Sequence, residues 1–383
     1  MIKGIISSIY SIIALISILA PFSIYYFSGF LQSLILLGCF ITLLTSSIYN
    51  PIDAKNYKKS VLFLAIWVII YFISMIVNSI YVPLIYWLFV IYGFMFISLK
   101  DTIKKLSYNL FIRILSVLLF FSLIEYIIYV TTGFSFISRI VQRGNGFILN
   151  HLLLNVVRVS STPRFQFLSE EPGLIGTLCA FILFTIGNDK KYFFDRIVIW
   201  IAGLLSFSLA FYIIAILKLL LSKISFKTYI IVASIGFAFS MIFKEQIEVS
   251  IEHRLQKDEI DNRTTDSFNR ILKETYESGE LFLGKGYNSH RTLTGENDGN
   301  AGAKVFILSY GIFGTLLIFI TYNKLLLYGC RRNRWELFVF MFIFWLSFYQ
   351  RQTIDRPYVI ILFFAYNVLC VDKNLIANKC KSK

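Results

Sequence analysis

The sequence predicts an all-α fold, a polytopic bundle of transmembrane helices with about 12 spans. Three observations predict it. Of the 383 residues, 57% are hydrophobic and only 15% are charged, with a mean hydropathy of +0.70. A soluble chain of this length needs far more polar surface. Apolar stretches recur along the whole chain, most of them close to the ~20 residues that cross a ~30 Å hydrocarbon core. The short connections between them alternate between basic and uncharged, which is the positive-inside pattern.

Taken in order, the apolar spans lie at 4–27, 30–49, 60–79, 83–99, 110–132, 173–187, 196–208, 209–222, 228–243, 305–322, 335–349 and 357–371. The first is too long for a signal-peptide core and no small-residue cleavage pattern follows it, so it is expected to be a retained helix. Basic short loops carry Lys55, Lys58 and Lys59, then Lys100, Lys104 and Lys105, then Lys190, Lys191 and Arg196, then Lys223 and Lys227, then Arg331, Arg332 and Arg334. Lys373, Lys379, Lys381 and Lys383 follow in the tail, whereas the turns near Ser28 and Ser79 carry no Lys or Arg. Both termini are therefore expected in the cytoplasm, and the two long loops, 133–172 and 244–304, outside. Segment 196–222 is short for two crossings. Basic residues flank it on both sides, so a hairpin turning near Ser206–Ser208 keeps all of them inside. A single helix there gives 11 spans instead of 12.

The chain is expected to form one integral membrane domain over 1–383, with a cap built on the second loop. Residues 244–303 hold 12 of the 22 acidic and 8 of the 37 basic residues, so this loop is net negative while the rest is strongly positive. Helical spacing recurs at Ile247, Ile251 and Leu255, and again at Phe268, Leu272 and Tyr276, which predicts amphipathic helices over 246–257 and 266–278. The net charge of +15 follows topology, so no nucleic-acid partner is implied. Cys39, Cys179, Cys330, Cys370 and Cys380 avoid both long loops, which excludes a disulfide framework and a cysteine metal site there. His151, His253 and His290 are far apart in sequence, and no metal or cofactor is expected.

Residues able to carry chemistry border the outer loops. Arg164, Glu170 and Glu171 precede Pro172, the expected first residue of a helix. The carboxylates either cap that helix start or act on a substrate, and Arg164 is either an interfacial anchor or a ligand for an anion. Arg139, Arg143, Arg158 and Arg164 are the only Lys or Arg of 133–172. They either snorkel at the outer interface or bind phosphate, which arginine grips through two donors, and positive charge outside runs against the topological trend. Gly284-Lys285-Gly286 reads as a turn, and beyond it His290 is either a solvated histidine, the commoner case, or, beside Arg291, an acid/base or phosphate ligand. Arg351 and Arg356 frame the last outer loop, either paired with Asp355 or forming a phosphate clamp.

Arg164-x-x-Phe167, followed by Glu171-Pro172-Gly173 and Gly176, resembles the first motif of Wzy-type polysaccharide polymerases, which are related to the O-antigen ligases. Gly284-x-Gly286 is similar to that family's Gly-x-Gly turn, and Tyr310-Gly311-Ile312-Phe313-Gly314 to its second helix start. A dozen spans with a long outer loop in the second half is also similar. A His-Asn pair that ligases and many polymerases carry about eleven residues before the second helix-start glycine is replaced here by Asn300-Ala301, so the ligase-type histidine is missing unless His290 serves from another loop position, which favours polymerase over ligase.

The resemblance implies a membrane glycosyltransferase, requiring no cofactor, on the outer or periplasmic side of the bacterial inner (cytoplasmic) membrane. Its donor and acceptor are oligosaccharide repeat units on undecaprenyl diphosphate, for O-antigen or capsule biosynthesis. Membrane lipid, a chain-length regulator and a flippase are the implied partners. An acceptor hydroxyl attacks the anomeric carbon and lipid diphosphate leaves. Cations stabilise the charge growing on that diphosphate. Arg164 and Arg356 are assigned to it, with Arg143, Arg158, Arg351 and Arg291 as further ligands. A base removes the hydroxyl proton. Glu171 is the candidate, then Glu170, then His290. The rivals are an O-antigen ligase, a transporter or flippase for the same lipid, and a non-catalytic scaffold. A transporter calls for charge along a mid-membrane path and internal symmetry. No repeat is visible, and the clear mid-span charge is Glu125.

Overall fold

The computed structural model describes residues 2–19, 27–134, 139–143, 146–150, 154–157, 164–169, 171–186, 190–221, 266–289, 293, 302–327, 334–350 and 354–364. The chain divides into two compact units, and the division falls inside one helix, between Ile112 and Arg113.

The first unit holds Met1–Ile18, Ile24–Ile112 and Arg263–Lys383. Its helices are α1 (Ile2–Ile16), α2 (Phe27–Tyr49), α3 (Ala54–Asn78), α4 (Leu84–Ser98) and the start of α5 (Asp101–Thr132). They are followed by α9 (Asp266–Glu277), a 3-10 turn (Glu280–Phe282), α10 (Gly302–Leu327), α11 (Arg334–Gln350) and a helical stretch over 357–364. α3 is central, packing on α4 and α10. It buries Asn56, Ser60, Phe63, Trp67, Ile70, Tyr71 and Ser74, one stripe at helical spacing. Phe63 lies 6.0 Å from Tyr322, and Trp67 6.4 Å from Phe306, between ring centroids. The opposite face leaves Ile69, Phe72 and Ile76 exposed. Large apolar side chains on both faces of one helix suit a surround of lipid.

Several helices run beyond their apolar spans, because hydropathy measures only what the bilayer core must cover. α3 begins at Ala54 because Asp53 caps it, accepting from the Lys55 N–H at 2.8 Å. α1 stops at Ile16, short of the expected span. Pro21 follows, and a proline ring clashes with the carbonyl four residues before it.

The second unit holds Leu19–Ser23 and Arg113–Asn262. It contains the rest of α5, three strands β1 (Arg139–Arg143), β2 (Gly146–Asn150) and β3 (Asn155–Val157), then α6 (Pro172–Ile186), a 3-10 turn (Lys190–Tyr192), α7 (Phe193–Leu205) and α8 (Leu209–Leu221). α6 is buried along nearly its whole length and packs on both α7 and α8. Over 196–221 the chain forms two helices joined by a turn at Ser206–Ser208, the hairpin expected there in place of a single helix. Phe211 from α8 fits onto α7 where Gly203 leaves no side chain, and a Cβ there would lie 2.0 Å from its ring.

The molecule is helical, as expected, with one addition. Loop 133–172 contains an antiparallel sheet in the order β1-β2-β3, with Arg143 opposite Gly146 and Ile148 opposite Val157. Among the described residues, three helices are long and apolar enough to cross a membrane, α3, α5 and α10, and several shorter apolar helices accompany them. The span expected at 228–243 and the helix at 246–257 lie outside the described residues. The helix expected at 266–278 is present as α9. Phe268 is buried against Val305 and Leu308, with Ile271 and Leu272 beside them. Tyr276, expected on that face, is instead 69% exposed.

Candidate functional site

The first motif lies in the second unit and forms a clasp. The α7–α8 turn presents backbone carbonyls that the end of a helix leaves without intrahelical partners. Arg164 donates to them, from Nε and Nη2 to the Ser206 carbonyl at 3.0 and 2.9 Å, and from Nη2 to the Phe207 carbonyl at 2.7 Å. A guanidinium at the end of α7 also meets the negative end of its dipole. The next residue continues the grip, with the Phe165 N–H donating to the Leu205 carbonyl at 3.0 Å. Its buried ring stands edge-on to Tyr126, at 5.6 Å.

Gly176 supports the same turn from α6, where a Cβ would lie 2.3 Å from Ser208 Cβ and 2.6 Å from Ser206 Oγ. Ser169 orders the link by donating to the Gln166 and Glu171 carbonyls at 2.8 and 2.9 Å. Pro172 starts α6 and Glu171 stands exposed just before it, the position of a helix-start carboxylate. The sequence offered two roles for Arg164 and Glu171. The geometry gives Arg164 a structural part, with the hairpin carbonyls as the partner that sequence reasoning missed, and it places Glu171 exposed at the start of α6. Arg143 is described only in its backbone, as the last residue of β1. Glu170, Arg158, His290, Arg291 and Arg351 lie outside the described residues.

The second and third motif fragments meet in the first unit. Gly284 and Gly311 both have left-handed backbones, at φ +80° and +74°. Gly311 kinks α10. At the kink, the carbonyls of Leu308 and Ser309 accept from the N–H groups of Lys285 and Gly286 at 2.7 and 2.9 Å. A Cβ on Gly284 would lie 2.4 Å from the Gly311 nitrogen, and one on Gly311 2.3 Å from the Phe282 carbonyl oxygen. Only two glycines allow this approach. Lys285 also pairs with Glu280. The bond from Lys285, then one from Ser278, holds the Glu280 carboxyl below its usual range.

That turn delivers Tyr287. Its N–H donates to Ser74 Oγ of α3 at 2.8 Å, and its ring lies 4.8 Å from that of Tyr86 at the start of α4. The Arg356 guanidinium lies over the rings of Tyr86 and Phe89, at 5.5 and 5.1 Å, close enough for cation–π attraction. Next to it Asp355 is 7% exposed. Burial pushes the Asp355 carboxyl above the ordinary carboxylate range, while Arg356, a backbone N–H and the Tyr71 hydroxyl act in the opposite direction. Burial likewise raises the Tyr287 phenol, with Tyr86 adding to the effect. Tyr71 closes the group, its ring 6.1 Å from Tyr310 and 5.0 Å from Trp87. Tyr86, Trp87, Tyr287, Tyr310 and Arg356 are all half-buried.

Of the expected site residues, Arg356 therefore stands in a polar and aromatic cluster with Asp355. Arg164 and Glu171 belong to the other unit. Sequence reasoning missed Tyr71, Tyr86, Tyr287 and Tyr310, and took Asp355 only as an ion-pair partner. Among the described residues, no group of three His, Cys, Asp or Glu side chains could hold a metal ion.

The class the helices define is a membrane protein. Compared with known protein families, curated proteins and solved structures, the chain matches none of them.

Proposed function

We propose that this protein polymerises oligosaccharide repeat units carried on undecaprenyl diphosphate, at the outer face of the bacterial cytoplasmic membrane. The reaction is a glycosyl transfer in which the acceptor sugar hydroxyl attacks the donor's anomeric carbon and lipid diphosphate leaves. What supports this reading is the glycine clasp. The Gly-x-Gly turn and the Gly311 segment resemble two separate pieces of the polymerase pattern, and they pack backbone to backbone. The same clasp sets Tyr287 beside Tyr86, whose ring lies under Arg356. Arg356 is the cation we assign to the leaving diphosphate, where a guanidinium can bond two phosphate oxygens. Arg164 serves chiefly to hold the α7–α8 turn.

The test is a glycan ladder from a strain lacking this gene, complemented with wild type, Arg356→Ala or Glu171→Gln, with membrane levels checked by blot. Wild type is expected to restore the ladder, Arg356→Ala to leave single repeats, and Glu171→Gln to polymerise. A full ladder from Arg356→Ala removes that residue from the reaction. Long lipid-linked polymer that is never attached in the deletion strain makes the protein a ligase. Repeats that stay on the cytoplasmic leaflet make it a transporter.

A further inference from the structure

We propose that Asp355 is the catalytic base, taking the proton from the acceptor sugar hydroxyl as it attacks. This deepens the polymerase reading and rests on it.

Three observations in one compact unit carry the inference. Asp355 is 7% exposed, and burying a carboxylate costs several kcal/mol unless neighbouring groups offset it or the site uses the charge. Its neighbours are a phenol and a cation. The Tyr71 hydroxyl lies near enough to favour the charged carboxyl, without meeting hydrogen-bond geometry. Arg356 favours the same form from the next position along the chain. The third observation is the half-buried ring of aromatic residues around this point: Tyr86 and Tyr287 at 4.8 Å, with Trp87 and Tyr310 on either side of Tyr71. Flat ring faces suit the C–H face of a sugar, and phenol hydroxyls suit its oxygens. Four chain segments converge here, from α3, α4, α10 and the turn after Gly286, so the groups are held on packed elements. Glu171, the carboxylate first in view from the sequence, is exposed at a helix start.

The step balances. The acceptor oxygen forms a bond to the donor's anomeric carbon while the bond from that carbon to the diphosphate oxygen breaks. Its electron pair leaves with the lipid diphosphate, whose charge faces Arg356. The hydroxyl proton passes to an Asp355 carboxylate oxygen and is later released to solvent. Burial raises this carboxyl, and a base tuned toward the working pH is a better proton acceptor. The charged and titratable neighbours are Arg356 on its own segment, Tyr71 on α3, Tyr310 and Tyr322 on α10, and Tyr287 on the turn.

The experiment uses full-length protein in nanodiscs with its lipid-linked repeat unit, comparing wild type, Asp355→Asn and Asp355→Glu. Turnover, donor binding, thermal stability and a pH profile are read for each. Asp355→Asn is expected to lose roughly 10²–10⁴-fold in turnover, to bind donor as wild type does, and to unfold no lower in temperature, because a buried charge has been removed. Asp355→Glu should recover part of the turnover. The wild-type rate should rise with pH through an inflection above the ordinary carboxylate range, and that inflection should vanish in Asp355→Asn. Near-normal turnover in Asp355→Asn overturns the assignment. Loss of turnover together with stability in both variants also overturns it, since the position is then structural. If wild type polymerises nothing but transports the lipid or transfers finished polymer, the polymerase reading fails first, and this inference fails with it.

Discussion

Replacing Gly284 with alanine sets a methyl carbon 2.4 Å from the Gly311 nitrogen and 2.8 Å from the Ser309 carbonyl oxygen. Both neighbours are backbone, so neither can rotate away as a side chain would. Two costs combine. An L residue with a left-handed backbone costs about 1–2 kcal/mol, and forcing a methyl into a close-packed contact costs about 1–3 kcal/mol. The clasp should therefore weaken by about 2–5 kcal/mol. Gly279 supplies the control, with φ +78° and nothing within 4 Å of an added Cβ. Gly279→Ala carries the first cost alone. The assay is hydrogen exchange at the amides of Lys285 and Gly286, which donate to Leu308 and Ser309 across the clasp. In Gly284→Ala their exchange should quicken roughly 30-fold to several thousand-fold, at about 1.4 kcal/mol for each factor of ten. In Gly279→Ala the change should be at most about 5- to 30-fold, the worth of the first cost alone. Equal exchange in the two variants would refute the idea that backbone contact, beyond the glycine conformation itself, joins the two motif fragments.

Arg164→Ala should destabilise the α7–α8 turn by about 1.5–3 kcal/mol, the usual worth of bonds from a charged donor, read as faster exchange at the Phe165 amide. Arg164→Lys should recover less than half of this, because a point charge cannot fork across the Ser206 and Phe207 carbonyls. Arg113 pairs with Asp195 at 2.8 Å, with side chains 48% and 1% exposed. Arg113→Ala strands that carboxylate, and with the cation half in solvent the loss should be about 1–3 kcal/mol of unfolding free energy, which Asp195→Asn in the same chain should largely restore. Asp355 gives a pH effect of definite sign. Its carboxyl is raised in the folded protein, chiefly by burial, so the folded state holds the proton more tightly. The contribution is fully favourable below the unfolded value of about 3.9 and is lost as pH rises through the folded value. Unfolding titrations of wild type and Asp355→Asn should therefore diverge across that window, the variant gaining relative stability as pH rises; parallel curves would show that the carboxyl is not perturbed by burial.

How much of this was legible in the sequence depends on which force fixed each feature. The hairpin at Ser206–Ser208 was legible because basic residues on both sides of 196–222 constrain how often the chain can cross. The sheet in 133–172 was missed although its signal is present. In the sequence, Gly144-Asn145, a pair of hairpin-turn composition, stands between the short strand-like runs Arg139-Ile140-Val141-Gln142-Arg143 and Gly146-Phe147-Ile148-Leu149-Asn150. Its arginines drew the reading toward phosphate instead. The first motif was found, but its partner was not. Arg164 bonds carbonyls, and carbonyls carry no residue signature. The tyrosines around Asp355 were hidden for another reason. The chain has 23 tyrosines, a residue that membrane proteins enrich at interfaces anyway, and only the folded chain gathers positions 71, 86, 287 and 310 around Asp355 and Arg356.

The two motif regions use the same means to different ends. In each, a glycine lets one segment approach another, Gly176 under the α7–α8 turn and Gly284 against Gly311, and backbone bonds then lock the contact. Around Gly176 the charged residue is consumed by the lock, since Arg164 spends its Nε and Nη2 donors on the turn. Around Gly284 the lock is made of backbone N–H groups alone, and the charged and phenolic groups remain gathered about Asp355 and Arg356. A group that works on a substrate must keep a donor or acceptor for it after the bonds that orient it are made. On the proposed polymerase reading we assign the chemistry to Asp355 and Arg356, and Arg164 to the frame it holds through the Ser206 and Phe207 carbonyls.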